Sequence, residues 1–151
     1  MNTVTIAIVQ STFNNDITDK MSEEAIKYLQ KHHQNVQLQH IKVPGAVEIP
    51  FMCQTLAQNQ KPDAILTFGA VIFGQTDHYH YVCKMVTEGV NRVMLDHNIP
   101  IAFGVLTCKE RQHALDRVNG NHSNMGQEAA SCAMDMIALK QKYSQKIPAQ
   151  V

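Results

Sequence analysis

One stretch of the sequence decides the fold, and it runs Gly69-Ala-Val-Ile-Phe-Gly-Gln-Thr-Asp-His-Tyr-His-Tyr-Val-Cys83. An apolar run, residues 64–73, leads into it and stops at Gly74, and a helical pattern begins after the polar residues 75–78. This order predicts a strand that joins a helix through a short turn. Because the first N–H groups of a helix have no partner within the helix, such a turn suits an anion or a phosphorylated small molecule. His78, at the start of the helix, is the candidate acid or base.

The rest of the chain repeats this pairing of a strand with a helix. Apolar, β-rich runs predict strands at residues 4–9, 36–43, 64–73 and 101–106. Apolar residues at helical spacing predict helices at about 16–33, 49–57, 77–98, 110–118 and 125–143. Turn-forming residues lie at 10–15, 44–45, 62–63 and 119–124, and residues 144–151 are expected to fray.

This alternation predicts the fold class. The strands are continuous apolar runs, which is typical of a parallel sheet that is covered by helices on both faces. With right-handed crossovers, the expected fold is a three-layer α/β/α sandwich with a four-stranded parallel sheet, doubly wound and flavodoxin-like. The sequence contains no linker, repeat or low-complexity segment, so residues 1–151 are predicted to form a single domain.

Composition argues against several classes of partner. Lys and Arg together number 13, as do Asp and Glu, so the chain offers no electrostatic reason to bind nucleic acid or an anionic membrane. No apolar run has the roughly 18–20 residues that span a bilayer, and the amino terminus lacks a signal-peptide pattern, so a cytoplasmic location is expected. The cysteines form no C-x-x-C pair and no metal-finger spacing, and no metal site is predicted.

Four segments are expected to meet where the strands end. In open α/β sheets, ligands bind beyond the carboxyl ends of the strands. The segments that reach this edge are 13–14, 45–48, 74–78 and 107–108. A pocket for a small molecule is therefore predicted between them.

Three of the candidate residues also have a simpler structural interpretation. Phe13 could stack on a planar heterocycle or pack as a hydrophobic staple on the following helix, and the local sequence favours neither. Glu48 is explained locally as an acid that complements the amino end of a helix, and Arg117 as a cation at the carboxyl end of one.

A nucleoside triphosphate site is excluded, although the residues from Gly69 to Thr76 nearly match the phosphate-loop pattern. Gln75 stands where that pattern requires Lys, and the four residues between the glycines look like strand. A smaller phosphate site, made by Thr76 and backbone N–H groups, survives this objection. His78 and His80 lie two residues apart on a helix, so they cannot chelate one metal ion.

Several ordered motifs are together far more specific than any one of them. They are 13–18 (Phe-Asn-Asn-Asp-Ile-Thr), 43–50 (Val-Pro-Gly-Ala-Val-Glu-Ile-Pro), 69–83, 103–107 (Phe-Gly-Val-Leu-Thr) and 114–117. In this order they resemble the 6,7-dimethyl-8-ribityllumazine synthase family. The resemblance implies a transferase of riboflavin biosynthesis, which condenses 5-amino-6-(D-ribitylamino)uracil with 3,4-dihydroxy-2-butanone 4-phosphate and needs no metal or organic cofactor.

The resemblance also implies a role for each site residue. Phe13 would stack on the pyrimidine with Asn14 beside it, and His78 would move protons. The residues that would hold the ribityl chain and ring edge are Ala46, Val47, Glu48 and Ile49. Those that would line the pyrimidine pocket are Ala70, Val71 and Ile72. Those that would bind phosphate are Gln75, Thr76 and Arg117. Phe103 would enter the active site of a neighbouring subunit in a homopentamer, and assembly into a decamer or an icosahedral shell stays open.

Three positions depart from the family pattern. Val47 stands where many members have an aromatic residue, and Phe73 where a basic one is common. Met125 falls where many members carry a phosphate-binding Lys, and His122 is the candidate to compensate for it. The absent Lys keeps open an alternative function, a non-catalytic flavin- or lumazine-binding module on the same scaffold.

Overall fold

The computed structural model describes residues 2–120 and 122–146. Every predicted strand and helix is present, and a short 3₁₀ turn at Ala46–Glu48 is added. The strands are β1 (Val4–Ser11), β2 (Val36–Val43), β3 (Ala64–Ile72) and β4 (Ile101–Cys108). The helices are α1 (Asn15–His32), α2 (Ile49–Asn59), α3 (His78–His97), α4 (Arg111–Val118) and α5 (Met125–Tyr143).

The four strands form one parallel sheet in the order β2-β1-β3-β4. The change of direction in strand order lies between β1 and β3, and this is where a doubly wound sheet opens a crevice for a ligand. The register pairs Ser11 with Val43 and Ile72 with Cys108, so β1 ends level with β2, and β3 ends level with β4. The predicted four-stranded parallel sheet is confirmed.

Two hydrophobic layers fill the space on either side of this sheet. One face of the sheet packs against α1, α4 and α5, with Met21, Phe68 and Ala130 at its centre. The other face packs against α2 and α3, through Ile49, Ile65 and Val86. Because β3 is covered on both faces, its residues are buried in an unbroken run, which is why its sequence is continuously apolar. The predicted helices on both faces are confirmed.

The end of β1 lies two residues beyond the prediction. The sequence predicts a turn at Gln10 and Ser11 because they are polar, but both pair with β2 as strand residues and have buried side chains. Gln10 is accepted in the core because its amide group donates to Asp19 Oδ1 at 2.6 Å and accepts from Ser22 Oγ at 2.7 Å. Those partners lie on α1, so the burial of Gln10 depends on tertiary contacts.

Helices α1 and α5 approach each other closely at Gly126. A Cβ atom built on Gly126 would lie 2.1 Å from the Met21 carbonyl oxygen, so the contact requires a residue without a side chain.

Within the described residues, the structure has no helix whose length and hydrophobicity would let it cross a lipid bilayer.

Candidate active site

A cavity of about 340 Å³ opens at the carboxyl edge of the sheet. It is formed by the end of β3, the 3₁₀ turn, the turn after β1 and the start of α3, so three of the four predicted segments converge on it. The predicted site residues that line it are Phe13, Ala46, Val47, Ala70, Val71, Ile72, Thr76 and His78. Gly45, Gly74, Tyr79 and Val82 complete the wall.

The inner wall of the cavity is apolar. Ala70 and Val71 are buried at the end of β3, and Ala46 and Val47 face them from the 3₁₀ turn. The Phe13 side chain stands at the mouth with 71% of its surface exposed, so it is not a staple that is buried against α1. An exposed ring beside small apolar residues leaves a slot that fits a planar heterocycle.

The outer end of the cavity is polar and is built around the start of α3. Asp77 is the residue before the helix, and its carbonyl oxygen accepts from the His80 N–H at 2.9 Å. The Thr76 hydroxyl oxygen accepts from the backbone N–H of His78 at 3.3 Å, so the Thr76 hydroxyl lies at the turn from which His78 projects. Thr76 and His78 are both exposed to solvent and both line the cavity. Gln75 lies in the same turn but is not part of the cavity wall.

Glu48 and Ile49 flank the cavity and do not line it. A Cβ atom on Gly45 would lie 2.9 Å from Glu48 Oε2, so the absence of a side chain at Gly45 lets the carboxylate lie against the loop that forms the rim. Ile49 is fully buried among the residues beneath the sheet's α2–α3 face, behind the cavity wall. Their roles in substrate binding stay predictions.

Asn14 is built into the protein framework next to the cavity. It has a left-handed backbone conformation, with φ 58° and ψ 45°, which Asn tolerates better than most residues. Its side-chain Nδ2 donates to the Ala70 carbonyl oxygen at 2.9 Å, and its Oδ1 accepts from Arg111 Nη1 at 3.2 Å. Sequence reasoning missed Arg111, because its position at the start of a helix gave no sign of a partner so distant in the chain.

Neither Phe103 nor Arg117 lines the cavity of its own chain. Phe103 is on the edge strand β4 and is 41% exposed. Arg117 donates from Nη1 to the His113 carbonyl oxygen at 2.8 Å, one turn back in α4. Burial raises the pKa of the Cys108 thiol at the end of β4, and the positive charge of Arg117 opposes that rise.

Tyr79 is a cavity residue that the sequence analysis passed over. It follows His78 in α3, and its ring lies 5.4 Å from the Phe73 ring in an edge-on arrangement. Burial is the main cause that raises the pKa of the Tyr79 hydroxyl, and Cys83 adds to the rise.

The loop that precedes α5 places His122 outside this cavity. The His122 side chain is 71% exposed, and its Nε2 lies 3.9 Å from Asp116 Oδ2. Met125 begins α5 and packs against the core on the α1 side of the sheet. The predicted compensation of the absent Lys by His122 stays a prediction.

Comparison with known proteins identifies the family. The family model described as 6,7-dimethyl-8-ribityllumazine synthase matches residues 3–141. The chain belongs to this family. A relative of that name from Bdellovibrio bacteriovorus is 44% identical over 149 residues, which cover 99% of this chain and 80% of the relative. Relatives of the same name from Desulfovibrio desulfuricans and Coxiella burnetii are 37% and 42% identical, and the matches cover 88% and 89% of those proteins. The family predicted from the sequence motifs is thereby confirmed.

Proposed function

We propose that the chain condenses 5-amino-6-(D-ribitylamino)uracil with 3,4-dihydroxy-2-butanone 4-phosphate to give 6,7-dimethyl-8-ribityllumazine, phosphate and water. Family membership makes it a transferase-type enzyme of riboflavin biosynthesis. The observation that carries the proposal is the strand-end cavity, in which an apolar slot beside Phe13 adjoins a polar turn with Thr76 and His78. The two ends of the cavity match the two substrates, one a planar ring and the other a small phosphate ester.

The reaction needs no nucleophile from the protein because the uracil supplies its own amines. The 5-amino group attacks the ketone carbonyl, and loss of water leaves an imine. Removal of a proton from the neighbouring carbon expels inorganic phosphate, and tautomerisation of the resulting enol leaves a second carbonyl group. The ribityl-bearing amine attacks this carbonyl, and loss of another water closes the ring. The protein has to orient the substrates and move protons.

The apolar end of the cavity would hold the uracil. Phe13 would stack on the ring, while Ala70, Val71 and Ile72 would line its edge from the end of β3. Ala46 and Val47 would contact the ribityl side from the 3₁₀ turn, with Glu48 at the rim and Ile49 supporting the wall from behind. Because Val47 is smaller than an aromatic residue, the slot is wider here than in the usual family pattern.

The polar end would hold the phosphate ester and its proton shuttle. The start of α3 presents backbone N–H groups and the positive end of the helix dipole, and Thr76 and Gln75 add side-chain donors. His78 would take the proton from the carbon atom next to the imine and return protons to the departing water. An imidazole suits both tasks because it changes charge near neutral pH.

A neighbouring subunit would complete the site. Phe103 and Arg117 belong to the family pattern but lie outside the cavity of their own chain, and a homopentamer would bring them to the next cavity. Arg117 would then bind the phosphate, and Phe103 would cover the ring. We propose a homopentamer or a pentamer-based higher assembly, formed by one domain per chain and located in the cytoplasm.

The rival function, a non-catalytic flavin- or lumazine-binding module, is not favoured. The relatives at 37–44% identity are named as synthases, and the cavity retains both the imidazole of His78 and the hydroxyl of Thr76. A binding module would need the planar slot and would have no use for a proton shuttle beside it.

Absorbance measurements of lumazine formation from both substrates test the proposed function. The purified protein should form lumazine far faster than the two substrates do by themselves, since orientation and acid–base catalysis both contribute. Formation at the spontaneous rate, with tight binding of lumazine or riboflavin, would support the binding module instead.

A further inference from the structure

Arg111 makes an unusual contact for the first residue of a helix. Its guanidinium reaches from the start of α4 to the start of α1, where Nη1 donates to Asn14 Oδ1 at 3.2 Å and Nη2 pairs with Asp16 Oδ2. A cation at the amino end of a helix is opposed by the dipole of that helix. The partners of Arg111 are instead two side chains at the start of α1, Asn14 just before the helix and Asp16 in its first turn, which lie 97 and 95 residues away in the sequence.

Asn14 connects this guanidinium to the cavity. Its amide donates from Nδ2 to the Ala70 carbonyl oxygen at 2.9 Å and accepts at Oδ1 from Arg111. Rotation of the amide by half a turn would exchange its nitrogen and oxygen and lose both bonds. Ala70 lines the cavity, and so does Phe13, the residue before Asn14. The amide of Asn14 therefore links the turn that carries the Phe13 ring to the end of β3.

We propose that Arg111 is a positioning residue for the uracil slot: by holding Asn14 and Asp16, it fixes the Phe13 turn against the end of β3. The proposal rests on the proposed function for the identity of the ligand, and it adds a residue that contacts neither substrate. Arg111 acts through Asn14, because the Asn14 side chain bonds both Arg111 and the Ala70 carbonyl oxygen of the cavity wall.

The contact is suited to setting a geometry and not to holding the fold together. The Arg111 and Asp16 side chains are 45% and 53% exposed, and pairs that are this exposed contribute little to the free energy of unfolding. The hydrogen bond from Arg111 is the main cause that lowers the pKa of the Asp16 carboxyl group. A planar guanidinium with two engaged edges fixes both partners at once, which an ammonium group cannot do.

Amide hydrogen exchange tests, without any substrate, whether the contact of Arg111 with Asn14 and Asp16 fixes the Phe13 turn. The Thr12 and Phe13 N–H groups donate to the Val43 and Pro44 carbonyl oxygens, at 2.8 and 3.0 Å, and report on the turn. In Arg111→Met their exchange should be at least about fivefold faster, because the turn opens locally more often. The matched control is Arg92→Met, which removes an exposed arginine from an ion pair on α3 and should leave these amides unchanged. Unchanged exchange in Arg111→Met would overturn the proposal.

Steady-state kinetics then separate positioning from direct binding. Arg111→Met should raise KM for the ribitylaminouracil about five- to tenfold and leave kcat and KM for the butanone phosphate within about twofold. Arg111→Lys should give an intermediate KM, since it keeps the positive charge and loses the planar guanidinium that binds two partners at once. A rise confined to KM for the butanone phosphate would make Arg111 a phosphate ligand and would overturn the proposal.

A double variant shows whether Arg111 acts through Asn14. In the background of Asn14→Gly, which keeps the left-handed backbone unstrained, Arg111→Met should change KM no further. Additive effects of the two substitutions would contradict the proposed path. If the unmodified protein forms no lumazine, the proposed function fails, while the exchange experiment still decides whether Arg111 fixes the Phe13 turn.

Discussion

His78 is the residue on which the chemistry of the cavity depends. We expect His78→Ala to lower kcat about 10- to 100-fold and to leave measurable turnover, since the bound substrates remain oriented. The matched control is His97→Ala, which removes the imidazole at the other end of the same helix. Stopped-flow absorbance with both substrates at saturation provides the measurement. An unchanged kcat in His78→Ala would remove this residue from the mechanism.

Two serines on neighbouring elements predict opposite effects of the same substitution. Ser11 Oγ is buried beside Gly69 and Ile49 and is the buried side-chain polar atom without a hydrogen-bond partner among the described residues. Ser22 Oγ, also buried, donates to Gln10 Oε1 at 2.7 Å. We expect Ser11→Ala to raise the free energy of unfolding by about 1 kcal/mol and Ser22→Ala to lower it by about 1–3 kcal/mol.

Urea unfolding measured by circular dichroism distinguishes the two serine variants. The midpoint should move to higher urea in Ser11→Ala and to lower urea in Ser22→Ala, with unchanged slopes. Equal destabilisation by both substitutions would mean that the Ser11 hydroxyl has a partner in solution, such as a buried water molecule.

At the scale of elements, the sequence predicted nearly every helix and strand because local and tertiary preferences agree here. The buried strands β1 and β3 are β-branched and apolar, and each helix has an apolar stripe at the correct spacing. The prediction failed at Gln10 and Ser11, whose polar side chains look like a turn. Partners from α1, together with His40 Nε2 of β2 at 2.8 Å from Gln10 Oε1, let Gln10 remain in a buried strand.

The difference between local preferences and tertiary contacts also explains which residues of the cavity could be predicted from the sequence. Residues that line it by virtue of their own strand end or helix start, such as Ala70 and His78, follow from the order of the elements. Arg111 could not be found in this way, because its contact with Asn14 depends on how α4 packs against α1. The sequence analysis gave Tyr79 no role, and its position in the cavity wall is seen only in the structure.

The crossing of α1 and α5 gives a prediction about element packing. Gly126→Ala should lower the free energy of unfolding by at least about 2 kcal/mol, because the added methyl group meets the Met21 carbonyl oxygen of the facing backbone. The matched control is Gly74→Ala, since a Cβ atom at Gly74 meets no atom within 4 Å. Thermal unfolding of the two variants measures the difference, and equal melting temperatures would show that the helices can separate without cost.

At the scale of the whole molecule, the proposed sharing of the site between subunits predicts complementation. His78→Ala and Phe103→Ala chains are each expected to be poorly active alone. In mixed rings made by co-expression in equal amounts, some cavities combine His78 from one chain with Phe103 from its neighbour. Random assembly should restore about one quarter of the unmodified activity.

Analytical ultracentrifugation of the mixed sample provides the control for complementation, because the mixture and each variant must assemble to the same size. Activity equal to the mean of the two separate variants would show that each cavity works within one chain. It would also return Phe103 to the role of an ordinary exposed side chain on β4.

The parallel direction of the strands has a consequence for anyone who modifies this protein. The cavity occupies the carboxyl edge, and the amino edge lies about 25 Å away, the length of an eight-residue strand. There, Thr5 donates from N and Oγ1 to the Asp63 carboxylate, at 2.7 and 3.1 Å, and so joins β1 to the start of β3. We therefore expect the two edges to be open to independent engineering. Substitutions at the amino edge should change the free energy of unfolding, while those at the carboxyl edge should change substrate specificity.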